Sequence, residues 1–255
     1  MKFKFALVDG VRRVPEPGLS GKCPFDHPMV AKCGKKRMRH WAHKGSPPCD
    51  PWWENESAWH RAWKEHFPEE WQEVRHEGEQ GETHIADVKT AREWVIEFQR
   101  SPIKPEERHL REAFYKKLIW VVDGTYRKRG VLQFNTALQA GKQVGPLVRL
   151  VFADECALLR EWSSSTSLVF IDFGEISRIW WLLNKGAGKP VYVMPFPRAQ
   201  FIESHRGQAN EFDDLPKQIE VLITEYELHL TRIRSAPPQI LPGYASRRTF
   251  RPRRL

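Results

Sequence analysis

The chain has 255 residues, of which 40% are hydrophobic and 29% charged, a composition that fits a globular protein and excludes a disordered one. Its net charge of +9 favours a polyanionic partner, most commonly nucleic acid. A basic solvated surface would give the same charge without such a partner. The sequence has no apolar run that could span a bilayer and no signal-peptide pattern, which predicts a cytoplasmic protein without a membrane partner.

Residues 1–50 contain a short predicted strand, KFALVD, followed by a segment dense in cysteine and histidine. This segment has few apolar residues, so a bound metal is the expected stabilising element. Its candidate ligands outnumber the four that a structural zinc takes, and they are Cys23, His27, Cys33, His40, His43 and Cys49. Our predicted Zn²⁺ set is Cys23, Cys33, His43 and Cys49. The spacing matches no standard zinc finger, and a loop that binds no metal is the alternative.

Residues 51–125 are predicted to follow the order αβββαβ. Asp50 and Pro51 favour a helix start, and the helix is expected to end at Pro68. Its core side would carry Trp52, Trp59, Trp63 and Phe67. The segments WQEVRHE, THIADVK and EWVIEFQ predict three sequential antiparallel strands. A helix over KPEERHLREAFYKK, with Leu110, Ala113 and Phe114 inward, leads into the apolar strand LIWVVDG.

Residues 126–234 are predicted to form an α/β extension, which makes the fold class α/β as a whole. LVRLVFA, SLVFIDFG and PVYVMPF are interpreted as strands, and EISRIWWLLN and FDDLPKQIEVLITEYELHLTRI as helices. Residues 235–255 are Pro-rich and then basic, which predicts a poorly ordered tail.

The residues that carry chemistry lie in HIADVKTAREWVIEFQRS. On a strand, Glu97 and Gln99 point to the same face, and Asp87 can meet them from the neighbouring strand. Two converging carboxylates would hold Mg²⁺ or Mn²⁺ and leave positions open for water and a phosphate oxygen. The metal would activate the water, with Gln99 orienting it, which predicts hydrolysis of phosphodiester bonds.

Glu56, His60 and Lys64 recur every four residues and predict a polar stripe on the first core helix. Glu56 would add a third metal-binding carboxylate, and His60 and Lys64 would contact phosphate. The alternative is that all these side chains lie on ordinary solvated faces. We favour the site because Glu97 and Gln99 interrupt a strand that otherwise reads as buried, where an unpaired carboxylate costs several kcal/mol.

The segments ENESAWHRAWK, HIADV, VIEFQRSPI and IWVVDG, with HWAH near the N-terminus, resemble the CoiA-like competence nuclease family, a branch of the PD-(D/E)xK superfamily. The resemblance runs from about residue 20 to about residue 125. Asp87, Glu97 and Gln99 take the signature positions, with Glu56 and the pair His60 and Lys64 from the helix. Gln99 stands where the superfamily usually has lysine.

The resemblance implies a restriction-endonuclease-like core, with a mixed sheet flanked by helices, in a Mg²⁺- or Mn²⁺-dependent deoxyribonuclease. Its role would lie in transformation, recombination or defence against foreign DNA, with DNA and proteins of those processes as partners. A homo-oligomer is left open. The alternative from another class is a non-catalytic DNA-binding accessory protein that recruits such partners. An RNA-cleaving nuclease is a third alternative, because the metal site does not read the sugar.

Overall fold

The strands of the chain form a five-stranded and a nine-stranded sheet within the residues that the structure describes. The structure is a computed structural model that describes residues 2–45, 49–54, 56–79, 81–183, 190–207 and 211–235. The chain divides into two units, Met1–Asn210 and Glu211–Leu255, and both sheets belong to the first.

The N-terminal sheet consists of five short antiparallel strands in the order β2-β1-β3-β4-β5. They are β1 (Ala6–Val8), β2 (Val11–Arg13), β3 (Ser20–Lys22), β4 (Pro28–Lys32) and β5 (His40–His43). Only β1 lies in the predicted strand KFALVD, because strands of three to five residues are too short to display a clear alternation. Phe3, Met29 and Trp41 are fully buried and fill the core of this sheet.

The nine-stranded sheet is mixed and flanked by helices. Its strands are β6 (Gln72–Glu77), β7 (Thr83–Lys89), β8 (Val95–Gln99), β9 (Leu118–Asp123), β10 (Lys142–Gln143), β11 (Arg149–Val151), β12 (Leu168–Asp172), β13 (Arg178–Leu183) and β14 (Val191–Pro197). They lie in the order β10-β11-β14-β13-β12-β9-β8-β7-β6. The central strands β8, β9 and β12 are parallel, and the remaining neighbours are antiparallel.

The helices of the first unit are α1 (Ala58–Lys64), α2 (Pro105–Phe114), α3 (Gly130–Ala140), α4 (Ala157–Trp162) and α5 (Arg198–Arg206). The predicted order αβββαβ is confirmed as α1, β6, β7, β8, α2 and β9, with the three strands antiparallel as expected. Helix α2 connects the parallel strands β8 and β9. Neither α3 nor α5 was predicted.

The first core helix is shorter than the sequence predicts. It begins at Ala58, where Ser57 is the N-cap and forms a capping box with His60. The predicted start at Asp50 is wrong, since the Asp50 carboxylate instead accepts hydrogen bonds from the amides of Trp52 and Ile85. Glu56 therefore precedes the helix and does not lie on it.

Two further predictions are wrong. The segment EISRIWWLLN was predicted to be helical, but Arg178–Leu183 is strand β13, paired on both sides by β12 and β14. A strand in this position is buried on both faces, so its apolar run cannot be told from a helix by periodicity. On α2, Leu110 (60% exposed) and Ala113 face solvent instead of the core, whereas Phe114 packs against the core as predicted. The buried residues of the helix are Arg108 and Arg111, which a search for apolar residues does not select.

The strands after residue 125 continue the sheet that the earlier strands begin, so the predicted boundary between residues 125 and 126 falls inside one continuous sheet. In the second unit the predicted long helix is confirmed as α6 (Glu211–Ser235). Residues 236–255, which include most of the predicted basic tail, lie outside the described residues. Among the helices that are described, none is long and apolar enough to cross a membrane.

A buried carboxylate on β12 holds α1 against the large sheet. Asp172 accepts hydrogen bonds from the indole nitrogens of Trp59 (3.0 Å) and Trp63 (2.8 Å). It also accepts one from the Gly174 amide (2.8 Å) and forms an ion pair with Arg198. Since both tryptophans belong to α1, Asp172 fixes the position of that helix and therefore of its other side chains.

We expect Asp172→Asn to lower the free energy of unfolding by about 2–4 kcal/mol, because it removes the charge that Arg198 and two indole donors require. Urea unfolding followed by circular dichroism measures this change. Glu155→Gln, at an exposed position, is the matched control and should change stability by less than about 0.5 kcal/mol. Equal stability of the two variants would contradict the anchoring role of Asp172.

Candidate functional site

A polar pocket of about 360 Å³, including the solvent at its open side, lies where β7 and β8 face the segment before α1. Its lining residues are Trp52, Trp53, Glu54, Glu56, His60, Lys64, Ile85, Asp87, Glu97, Phe98, Gln99 and Arg111. This set includes the six side chains singled out from the sequence. The predicted residues are therefore brought together, although from four different elements.

Asp87 and Glu97 come from adjacent antiparallel strands, where Val88 of β7 pairs with Ile96 of β8. The Asp87 amide donates to Glu97 Oε1 (3.3 Å), and Asp87 Oδ2 accepts from the Phe98 amide (3.0 Å). The Asp87 side chain is 18% exposed and that of Glu97 is 8% exposed. The two carboxyl groups thus share one part of the pocket, and Asp87 is the more open.

Glu97 favours its neutral form in the absence of a cation. Burial, followed by the negative charge of Asp87, raises the pKa of Glu97 to about 8. Arg111, whose Nη1 lies 3.1 Å from Glu97 Oε2, opposes this rise but does not cancel it. A cation bound between Asp87 and Glu97 would take the place of the proton, so this pair is suited to hold a metal.

Lys64 projects from α1 into a group of three carboxylates. Its Nζ lies 2.8 Å from Glu56 Oε1, 2.9 Å from Glu73 Oε1 and 3.7 Å from Asp87 Oδ1, and its side chain is 1% exposed. Burial would lower the pKa of Lys64, but the charges of Glu73, Asp87 and Glu56 outweigh burial and raise the pKa. Lys64 is therefore a fixed positive charge beside Asp87.

Two basic side chains of α1 hold the Glu56 carboxylate. It pairs with Lys64 and also with Arg61, which lies one turn from the helix start. Burial would raise the pKa of Glu56, but Lys64 and Arg61 outweigh burial and lower it. Glu56 is thus charged, and Lys64 lies between it and Asp87.

Glu73 of β6 completes this group and was not recognised from the sequence. Its carboxylate accepts hydrogen bonds from the amides of Lys4 (3.0 Å) and Phe5 (3.2 Å) as well as from Lys64 (2.9 Å). Its backbone has a φ of +49°, a left-handed conformation that is strained for glutamate. The alternating polar pattern of WQEVRHE suggested a solvated position, and no local signal distinguishes Glu73 from its neighbours.

Gln99 is tied to a second carboxylate that was not singled out, Glu54. The Gln99 amide nitrogen donates to Glu54 Oε2 (3.0 Å) and to the Ser101 carbonyl (2.8 Å). Glu54 also accepts from the amides of Arg100 (3.2 Å) and Ser101 (2.8 Å). With both amide hydrogens donated, Gln99 can offer a ligand or a water only its carbonyl oxygen.

His60 lies beneath Glu54 and is buried. Its Nδ1 is 2.8 Å from the Ser57 hydroxyl, and its Nε2 is 3.5 Å from Glu54 Oε2. Burial would raise the pKa of Glu54, but the contacts with His60 and Ser101 outweigh burial and lower it to about 2. His60 and Lys64 thus hold carboxylates in this structure instead of facing solvent.

A second group of side chains lies in the N-terminal sheet. Its ligand atoms, all within 4.8 Å of one another, belong to Cys23, His27, His43 and Cys49. Cys49 Sγ is 3.3 Å from Cys23 Sγ, 2.8 Å from His27 Nδ1 and 3.0 Å from His43 Nε2. Zn–S bonds of about 2.3 Å and Zn–N bonds of about 2.0 Å separate tetrahedral ligand atoms by roughly 3.3–3.8 Å, so shifts of about 1 Å or less in the ligand atoms would give zinc geometry. It could bind a structural metal such as zinc.

His27 takes the place in this group that the sequence analysis gave to Cys33. A tight turn, in which the Cys23 amide donates to the His27 carbonyl (2.9 Å), brings His27 back beside Cys23. Cys33 follows β4 at its far end, since Met29 pairs with His43 but Lys32 pairs with His40. The strand pairing thus separates Cys33 from the other three residues, and the predicted ligand set is corrected to this extent.

Comparisons of the chain with protein-family models, with curated proteins and with solved structures found no match.

The raised pKa of Glu97 predicts a specific pH dependence of stability without added Mg²⁺ or Mn²⁺. Between the pKa of an unfolded glutamate, about 4.3, and the folded value of about 8, the folded state binds the additional proton. The free energy of unfolding should therefore fall as the pH rises from 5 through about 8, by roughly 2–4 kcal/mol from this group.

Glu97→Gln should remove that part of the pH dependence, because glutamine does not titrate. The measurement is urea unfolding at a series of pH values for the wild type, Glu97→Gln and, as a matched control, Glu106→Gln on the exposed surface of α2. If Glu97→Gln and Glu106→Gln have the same pH profile, the Glu97 carboxyl does not have a raised pKa.

The Cys/His group predicts one tightly bound zinc per chain. Cys23→Ser or His27→Gln should weaken zinc binding by more than about 100-fold, since each removes a direct ligand. Cys33→Ser is the matched control and should retain the metal. Elemental analysis after dialysis and competition with a chromogenic chelator measure both effects. Loss of zinc in Cys33→Ser with retention in His27→Gln would restore the ligand set first predicted.

Proposed function

We propose that the chain is a metal-dependent DNA nuclease with its active site in the pocket around Asp87 and Glu97. The observation that carries the proposal is the carboxyl pair itself, in which the neighbouring charge of Asp87 helps to raise the pKa of a buried Glu97. Arg111 beside Glu97 and Lys64 beside Asp87 offset the cost of this buried pair only in part, since the pKa of Glu97 stays raised, and oxygen ligands of this kind suit Mg²⁺ or Mn²⁺. The pocket also opens to solvent at Asp87, which gives a substrate access.

Asp87 and Glu97 would hold the metal. The Gln99 carbonyl oxygen could accept a hydrogen bond from a ligand of that metal, such as a water. A bound Mg²⁺ or Mn²⁺ would supply a water of lowered pKa and would neutralise charge on the reacting phosphate. Glu54 and the Ser101 carbonyl hold the Gln99 amide nitrogen, so the carbonyl oxygen is the part of the Gln99 amide that remains for the pocket. Arg111 fixes Glu97 from the opposite side.

Lys64 would contribute electrostatically. Its ammonium group stays charged, lies 3.7 Å from Asp87 and is almost fully buried at the edge of the pocket, so it would stabilise negative charge there without needing to touch phosphate. Glu56 and Glu73 keep Lys64 in position. In this proposal Glu56 acts through Lys64. Lys64 also supplies the positive charge that a lysine would provide at position 99, where the superfamily usually has lysine and this chain has glutamine.

DNA is the proposed substrate because the net charge of +9 favours a polyanion and because the segments around the site resemble the CoiA-like nuclease family. A role in transformation, recombination or defence against foreign DNA follows from the same resemblance. In the loop before α3, Lys128 and Arg129 are exposed and are candidate phosphate contacts. A zinc ion in the Cys/His group would be structural, because all four ligand positions would be filled by protein.

The decisive experiment compares cleavage of single-stranded, duplex and branched DNA by the wild type, Asp87→Asn and Glu97→Gln, with Mg²⁺, Mn²⁺ or a chelator. Each substitution should reduce the rate by about 100-fold or more, since the metal is expected to supply several kcal/mol of transition-state stabilisation. Glu106→Gln should cleave like the wild type. All variants should keep the circular dichroism spectrum and the DNA affinity of the wild type.

The other outcomes separate the alternatives. Cleavage that survives in both Asp87→Asn and Glu97→Gln would refute the assignment of the site. Salt-dependent DNA binding without cleavage under any condition would indicate an accessory protein. Faster cleavage of RNA than of DNA of the same sequence would indicate a ribonuclease.

A further inference from the structure

The segment that leads from Cys49 to α1 connects the Cys/His group directly to the pocket. It begins at a candidate metal ligand and supplies four pocket-lining residues, which are Trp52, Trp53, Glu54 and Glu56. We propose that a metal bound by the Cys/His group fixes the pocket through this segment, with Asp50 as the positioning residue. The catalytic role of the pocket in this inference rests on the proposed function, whereas the coupling between the Cys/His group and the pocket does not.

Asp50 fastens the start of the segment to strand β7. Its Oδ2 accepts the Ile85 amide (2.7 Å), and its Oδ1 accepts the Trp52 amide (2.9 Å) and lies 2.8 Å from His84 Nδ1. The carboxylate is fully buried, so both oxygens depend on these partners. Ile85 stands two residues before Asp87 on the same strand. The residue adjacent to a candidate metal ligand is therefore bound to β7 two residues before Asp87.

Aromatic stacking reinforces this connection on both sides of the segment. Trp53 stacks on Phe3 with ring centroids 4.1 Å apart, and Phe3 meets the ring of His43 edge-on at 5.4 Å. Trp52 stacks on His84 at 3.3 Å. A shift of His43 or Cys49 on metal loss would therefore move ring systems that line the pocket.

The same segment holds residues that the pocket needs. The Trp52 carbonyl accepts from Arg111, which also pairs with Glu97. Glu54 accepts the amides of Arg100 and Ser101 and fixes Gln99. These contacts are made by residues three to five positions beyond Cys49, with no helix or strand between them.

A metal at the Cys/His group would hold the beginning of this segment with bonds that hydrogen bonds among the four side chains cannot replace. Without it, the segment should detach more often, and the contacts to β7 and β8 should open with it. Coupling between two sites is reciprocal, so a cation at Asp87 and Glu97 would in turn increase zinc affinity by the same factor.

The first test is amide hydrogen exchange with and without bound zinc in the full chain. We expect zinc removal to accelerate exchange at Ile85, Arg100 and Ser101 by at least about tenfold, within the usual range of coupling. The amides of Phe170 and Ile171 in β12 serve as an internal reference and should not change. Equal exchange at the three amides in both states would overturn the proposal.

Asp50→Asn tests the positioning role when removal of zinc unfolds the chain. The substitution keeps the size of the side chain and all four metal ligands, but replaces one acceptor oxygen with a donor. With zinc bound, this variant should show the faster exchange at Ile85, Arg100 and Ser101 that zinc removal causes in the wild type. Cys33→Ser, the control just after β4, should behave as wild type. Wild-type exchange in zinc-loaded Asp50→Asn would also overturn the proposal.

Mn²⁺ titration followed by electron paramagnetic resonance separates this inference from the proposed function. Zinc-loaded wild type should bind Mn²⁺ at least about tenfold more tightly than zinc-loaded Asp50→Asn. If zinc-loaded wild type binds no Mn²⁺, the proposed metal site at Asp87 and Glu97 fails, while the exchange result still decides the coupling. Equal Mn²⁺ affinity in the two proteins would contradict the role of Asp50.

Discussion

The ammonium group of Lys64 lies among the carboxylates of Glu56, Glu73 and Asp87 in a position almost closed to solvent. An isolated buried charge costs several kcal/mol, so the lysine and the acidic residues require one another. Each carboxylate comes from a different part of the chain: the segment before α1, β6 and β7. The ion pairs thus hold these parts together at the pocket and leave Asp87 as the member with access to solvent.

Glu73 extends this constraint into the N-terminal sheet. The same carboxylate that pairs with Lys64 accepts the amides of Lys4 and Phe5, and it does so from a strained backbone conformation. Strain of this kind persists only where the surrounding contacts outweigh it. The N-terminal strands are therefore docked on the large sheet partly through the charge that stabilises Lys64, and the pocket and the small sheet are not independent.

The sequence predicts those parts of this arrangement that have local signals. Asp87, Glu97 and Gln99 are visible because two of them interrupt an apolar strand, and the order αβββαβ follows from changes of period. Glu54 and Glu73 are missed because backbone amides that they accept, those of Arg100 and Lys4, lie 46 and 69 residues away in the sequence, and no local pattern marks either glutamate. Strand β13 is misread because burial on both faces removes alternation. Helix α2 is misread because it buries two arginines, Arg111, which pairs with Glu97, and Arg108, which pairs with Glu112.

The two groups of side chains differ in chemistry in a way that would keep their metals apart. Thiolate and imidazole ligands select zinc over Mg²⁺, whereas carboxylate and amide oxygens select Mg²⁺ or Mn²⁺. One segment joins them, and its first residues, Cys49 and Asp50, belong to the Cys/His group and to the support of β7 respectively. In the proposed coupling, a shift of one group would displace the other through Asp50, which is buried with both of its oxygens engaged. In this arrangement the five-stranded sheet supports the pocket and is not structurally independent of it.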